Sequence, residues 1–225
     1  MLRNLSVLDL ARNSLTGSIP LSLGSSPSLV SLPLRTTPSQ GPSRRPLLTV
    51  PRFNYCNLVK NYLVGDIPPA LFNSTSLRRL NLGRTNFTGS IPAVSNLNSP
   101  LQYLTLSVIG LEGTIPSSLG NFSFLRSPLL AANQFQGIIP VSISRIPNLQ
   151  VLDISYNNFR GTVPPYIYKI SSLIYVSLAV NQFTDAIPFD IGYTLPNMIL
   201  QQNNFQGKIP RSLTKATNLE SIILT

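Results

Sequence analysis

Histidine and tryptophan are absent from this chain of 225 residues, and cysteine occurs once, at Cys56. Acidic residues are scarce, seven against 17 basic ones, which leaves a formal charge of +10. Each shortage closes off some chemistry. Without histidine there is no Ser-His or Cys-His nucleophile pair and no His-bound metal. A lone cysteine closes no disulfide within the chain and forms no dithiol redox pair. No apolar run approaches the roughly 18 residues that span a bilayer. The opening MLRNLSVLDLARN sets Arg3, Asp9 and Arg12 around a short apolar alternation, which reads as a repeat strand and not as a signal peptide. The positive charge favours acidic partners, but the arginines are scattered, so a nucleic-acid stripe is not expected. With no acid–base or nucleophile constellation in view, the reading is of a non-enzyme with no cofactor and no metal.

What the chain has is a lattice. In LQVLDISYNNFRGTVP (149–164), Leu149, Leu152 and Ile154 are apolar, Asn157 and Phe159 follow, and Gly161-x-Val163-Pro164 closes the pattern. A slide of 24 residues finds it again at Leu173, Val176, Leu178, Asn181, Phe183, Ile187 and Pro188. The Ile/Val-Pro pair ends at Pro20, Pro68, Pro92, Pro116, Pro140, Pro164, Pro188 and Pro210, in steps of 48, then 24 five times, then 22. A period of this length with the form LxxLxLxxN is the leucine-rich repeat signature. The expected fold is a leucine-rich repeat solenoid of 24-residue repeats, an α/β-type horseshoe or superhelix. Residues 1–225 form one such domain of about nine repeats plus a partial tenth, cut in mid-repeat at both ends, with 36–53 as a degenerate repeat or loop.

Each slot has a physical reason. Strand side chains alternate, so LxL sends its leucines inward and their neighbours outward, and stacked repeats pair these strands into a parallel sheet on the concave side. The asparagine amide both donates to and accepts from the backbone of the turn that follows, which satisfies buried polar groups. Glycine before Ile-Pro permits a turn, and proline ends pairing by lacking an N–H. The segment after it, such as Ser117–Asn121 (SSLGN), is expected as a short 3-10 or helical turn on the convex side. Departures mark weak repeats. Repeat two begins with Leu29, Leu32 and Leu34 and then decays, although Asn61 keeps register with Asn13. Thr85 and Ile109 replace the asparagine, with a lost amide at Ile109 expected to cost roughly 1–3 kcal/mol. Pro128 stands at an inward strand position, where locally broken pairing is expected. Cys56 falls in an inward slot and is expected as a buried hydrophobe.

The lattice LxxLxLxxNxFxGxIPxxLG resembles the plant-specific leucine-rich repeat of receptor-like kinase ectodomains, with GxIP as the distinguishing element. NSTSLRRLNLG (73–83) and YTLPN (193–197) resemble the subfamily of pattern-recognition and disease-resistance receptors. The resemblance implies a non-catalytic ectodomain at the extracellular face of the plasma membrane, for ligand perception in defence or developmental signalling. It implies a peptide or protein ligand and a leucine-rich repeat co-receptor, with membrane attachment only through segments not in these residues. The chain shows no signal peptide, paired-cysteine cap, transmembrane helix or kinase motif. A rival reading is a secreted repeat protein that inhibits a cell-wall enzyme, as polygalacturonase inhibitors do; another is a gene remnant with no binding role.

A solenoid binds on its concave sheet through outward residues. The candidates are Arg78, Arg79, Arg84, Tyr103, Arg126, Asp153, Tyr156 and Tyr175. Arg78, Gln102, Arg126, Gln150 and Ile174 share one column and Arg79, Tyr103, Ser127, Val151 and Tyr175 the next. Tyrosine and arginine are enriched in binding hot spots, and the cations suit a carboxylate or sulfate. The alternative is that these positions are polar only because they face water. Sequons stand at Asn4, Asn73, Asn86 and Asn121, a number that chance alone supplies. Asn73 and Asn121, 48 apart on the outer wall, are the best glycosylation candidates.

Overall fold

The computed structural model describes residues 5–20, 23, 53–184, 186–187 and 196–224. Among them, β1 (Val7–Asp9), β3 (Tyr55–Asn57), β5 (Arg79–Asn81), β7 (Tyr103–Thr105), β9 (Ser127–Leu129), β11 (Val151–Asp153), β13 (Tyr175–Ser177), β15 (Asn197–Ile199) and β16 (Ser221–Ile223) make one parallel sheet in that order. Its middle residues are inward and in register, as in Leu8, Cys56, Leu80 and Leu104. A second, unexpected layer of short strands follows the asparagine slot of most repeats. It comprises β2 (Thr16–Gly17), β4 (Tyr62–Asp66) and β6 (Asn86–Thr88) in one sheet, and β8 (Glu112–Gly113), β10 (Gln134–Gly137), β12 (Asn158–Gly161) and β14 (Gln182–Phe183) in another. The Phe-x-Gly stretch is thus strand and not merely turn.

The turns follow from Ile-Pro. Proline closes the second strand, and its carbonyl accepts the first bond of the next element, as in Leu119 N–H to Pro116 O (2.9 Å) and Ile143 N–H to Pro140 O (3.0 Å). The result is α1 (Pro69–Phe72) and the 3-10 turns η1 (Ser117–Asn121), η2 (Val141–Arg145), η3 (Pro165–Lys169) and η4 (Arg211–Lys215). Close packing of η1 on η2 depends on Gly120, where a Cβ would collide with the Ser142 carbonyl. The fourth repeat has no such turn after Pro92. There Val94 N–H reaches Ser118 Oγ (2.9 Å) in the next repeat, and Ser95 and Asn96 N–H donate to Asn73 Oδ1 (2.7 and 2.9 Å) in the previous one.

The core is a row of equivalent residues. Phe135, Phe159, Phe183 and Phe205 stack with centroids 6.2–6.5 Å apart, each ring pair adding about 0.5–1.5 kcal/mol beyond area burial. Beside them runs the asparagine ladder. Asn157 Nδ2 donates to Ile154 O in its own turn (3.1 Å) and to Leu130 O in the preceding one (3.1 Å), while its Oδ1 accepts Phe135 N–H (3.1 Å). Asn61, Asn133, Asn181 and Asn203 repeat the arrangement. Each amide joins two repeats, where the sequence reading gave it only one.

Four expectations are refined by the structure. First, β1 pairs directly with β3, Val7 opposite Tyr55, and Asn61 Nδ2 reaches Leu10 O. The expected strand on Leu29, Leu32 and Leu34, like most of 36–53, lies outside the described residues. Second, the turn at Ile109 keeps an amide, because Asn133 Oδ1 accepts the N–H of Ile109 (3.3 Å) and Leu111 (3.1 Å) and Nδ2 donates to Leu106 O (2.7 Å). Third, Thr85 Oγ1 donates to Leu82 O (2.7 Å), so the shorter side chain still serves its own turn. Fourth, Pro128 breaks pairing on one side only. β9 pairs with β7 at all three positions but with β11 only at Leu129–Asp153. Leu130 N–H donates forward to Asp153 O, so by alternation the donor missing at 128 is one that faces β11.

Cys56 is fully buried, as expected. Burial, reinforced by the Asp9 carboxylate, pushes its thiol up from 9.0 to about 12. The folded chain holds this proton more tightly than the unfolded one, so the stabilising contribution is intact below pH 9.0 and is lost as pH rises toward 12. Near pH ~8, maleimide is expected to leave Cys56 untouched in the native chain and to label it in urea. Native labelling at the denatured rate would contradict that burial. Pro128→Leu restores a forward donor and is expected to raise stability by about 1 kcal/mol, read as a higher urea midpoint. A lower midpoint would mean that the site has no room for the leucine.

Candidate functional site

The concave sheet presents its outward side chains in columns, because every strand is in register with the next and strands lie about 4.8 Å apart. One column runs Tyr55, Arg79, Tyr103, Ser127, Val151, Tyr175 and Asn197. Within it the Arg79 guanidinium lies over the Tyr103 ring, with Cζ 4.8 Å from the centroid, which orients both side chains. Arg78 and Arg79 are exposed and, with Asn54 and Tyr55, line a depression of about 390 Å³. Tyr103, Arg126 and Tyr175 are half-buried. None of Arg78, Arg79, Arg84 and Arg126 is in an ion pair among the described residues.

The other candidates divide differently. Asp153 is half-buried, and its Oδ1 accepts the N–H (3.1 Å) and Oγ (2.7 Å) of Ser155, so half of the carboxylate serves the turn. Asp9, Asn57 and Asn81 occupy the same column and make the same local bond to Ala11, Val59 and Gly83 N–H. Arg84 and Tyr156 are not on strands. They sit just beyond, in the left-handed backbone region with φ of 55° and 54°. This conformation recurs at Arg12, Lys60, Val108, Ala132, Val180 and Gln202, with φ of 54–61° throughout, one residue before the asparagine slot. No glycine marks these positions, so sequence reasoning missed their left-handed conformation; the fixed offset from Asn was the available signal.

The Leucine Rich Repeat family model matches residues 4–26 and 148–170. The fold of the chain is that of a leucine-rich repeat solenoid. Solved structures place its fold among plant receptor ectodomains. The ectodomain of the plant membrane receptor kinase GASSHO1/SCHENGEN3 from Arabidopsis thaliana, in complex with CASPARIAN STRIP INTEGRITY FACTOR 2, matches with a TM-score of 0.79 and 26% identity over 97% of this chain and 24% of that one. The Arabidopsis receptor kinase HAESA, in complex with the peptide hormone IDA and the co-receptor SERK1, matches with a TM-score of 0.79 and 28% identity over 99% and 33%. The plant peptide hormone receptor RGFR1, in complex with RGF2, matches with a TM-score of 0.77 and 27% identity over 99% and 36%. The chain thus spans between about a quarter and a third of these three ectodomains. No curated protein sequence matches it. No helix among its described residues is long and apolar enough to cross a membrane.

The sequons of the repeat domain are unequal. Asn121, at the end of η1, and Asn86, in β6, are exposed. Asn73 is half-buried; besides accepting from Ser95 and Asn96 it donates through Nδ2 to Pro69 O (3.1 Å). Asn4 lies outside the described residues. Asn73→Ala is expected to cost about 1–3 kcal/mol in urea unfolding, since it leaves two backbone donors unpaired. Asn121→Ala is expected to change the midpoint little, and equal effects would contradict this ordering.

Proposed function

We propose that this domain is a non-catalytic ligand-binding module, part of the extracellular region of a plant receptor kinase, which holds an extended peptide along its concave sheet. The observation that carries the reading is the in-register column Tyr55, Arg79, Tyr103 and Tyr175, with Arg78 and Arg126 beside it. Tyrosine and arginine are enriched in binding hot spots, and the guanidiniums, in no ion pair among the described residues, offer forked donors to carboxylates. A ladder of equal steps suits a partner that is itself extended. The matched ectodomains support it in kind, since HAESA is solved with a peptide hormone and a co-receptor and RGFR1 is called a peptide hormone receptor. A leucine-rich repeat co-receptor is accordingly the expected second partner, and defence or developmental signalling at the cell surface the expected setting. Asn86 and Asn121 are the exposed places for glycans on an exported chain, with Asn4 and Asn73 as further sequons.

The test is selection of peptides from a displayed library on the immobilised domain. Peptides so found are expected to lose about tenfold or more in affinity on Arg79→Ala, Tyr103→Ala or Tyr175→Ala. Tyr166→Ala, in η3 on the convex side, is expected to leave them unchanged. Peptides that depend on Tyr166 and ignore the sheet would overturn the assignment.

A further inference from the structure

The left-handed column beyond the sheet carries charge at one end only. Arg12, Lys60 and Arg84 occupy its first three places, followed by Val108, Ala132, Tyr156, Val180 and Gln202. In sequence 48 residues separate Arg12 from Lys60. In space they are neighbours, because the first repeat stacks directly on the third: Arg12 N–H donates to Val59 O (2.8 Å) and Lys60 N–H to Gly83 O (3.0 Å). Strand spacing then puts the three cations at steps of about 4.8 Å, the outer two about 10 Å apart. All three are exposed, and none is in an ion pair among the described residues. The acidic group nearest Arg12 in sequence, Asp9, accepts from Ala11 N–H and from Asn57 Nδ2 instead.

Nothing in the fold asks for this charge. The same backbone slot, with the same φ, takes valine, alanine, tyrosine and glutamine further along. Like charges on adjacent strands repel, and at these positions the left-handed backbone already disfavours any residue with a Cβ. The juxtaposition therefore works against stability and fits a surface whose counter-charge comes from a partner. We infer that Arg12, Lys60 and Arg84 form an anion-binding edge that receives the acidic segment of a peptide ligand. The edge lies beyond the end of β5, the strand that Arg79 begins, so an extended chain on the sheet presents carboxylates to the edge. The uncharged remainder of the column, with Tyr156 and Val108 exposed, fixes the polarity: the acidic part of the ligand lies toward the first repeats and an apolar part toward the later ones. This rests on the concave-sheet reading and adds the ligand's charge and direction to it.

The test uses fluorescein-labelled octaglutamate, with octaglutamine and polygalacturonate beside it, and anisotropy titrations of the whole chain at several salt concentrations. The triple variant Arg12→Gln, Lys60→Gln, Arg84→Gln is expected to weaken octaglutamate at least tenfold and to flatten the salt dependence. The control triple Arg145→Gln, Arg160→Gln, Arg211→Gln removes the same charge elsewhere and is expected to change affinity by less than about twofold. The double variant Arg12→Lys, Arg84→Lys keeps the cations and is expected to bind like the parent, which separates loss of charge from loss of fold. Equal weakening by the two triples, or binding of polygalacturonate but not of octaglutamate, would overturn the inference. Library peptides that need Tyr103 and Tyr175 but ignore the column triple would sink the edge alone and leave the sheet reading standing.

Discussion

The structure depends on one side chain used repeatedly, the asparagine that follows each LxL strand. Its amide donates to carbonyls in two consecutive turns and accepts from the second strand of the repeat before it. The short side chain and its three hydrogen-bonding groups are what that position requires; a longer amide would not stay within reach of all three partners. Because the bond crosses from one repeat to the next, the ladder fixes the rotation between repeats. The register of the sheet, the phenylalanine stack and the outward columns follow from that rotation.

The same linkage explains how defects are contained. Ile109 has no amide, but the ladder is shared, and Asn133 serves the turn from the next repeat. Thr85 reaches its own turn and no further. The two departures fall in neighbouring repeats, and it is there, between β6 and β8, that the second layer of strands is interrupted. Pro128 acts on a different axis: it removes one main-chain donor in the concave sheet and leaves the ladder on both sides intact. Each fault is absorbed by whichever of the two networks it does not touch, as expected for an array whose units contact only their neighbours.

The candidate site was partly legible before any coordinates. Arg79, Tyr103 and Tyr175 were placed on the outward face from strand alternation alone, because a period of two admits no other assignment. The contact between Arg79 and Tyr103 follows from their being level on adjacent strands. Asp153 was legible as outward but not as half-committed to Ser155, since that bond depends on the bend after the strand. Arg84 and Tyr156 were read as outward residues beside the strands, without their backbone conformation. They belong to a left-handed position that ordinary side chains occupy here, and without glycine no composition cue announces it.

The 24-residue period by itself determined the class of fold, the inward residues, the concave sheet and the buried state of Cys56, because each is a consequence of side-chain alternation repeated in register. It also determined the short turns after Ile-Pro, since proline has no N–H with which to continue a strand. The tertiary structure alone decided which repeats are neighbours. Pairing across two periods leaves the arithmetic undisturbed, for 48 is still twice 24. The pairing of β1 with β3 is therefore invisible in the spacing, and so is the row of Arg12, Lys60 and Arg84 that it creates. Periodicity reports phase, while contact between repeats is settled by which apolar faces and amide ladders fit together in space.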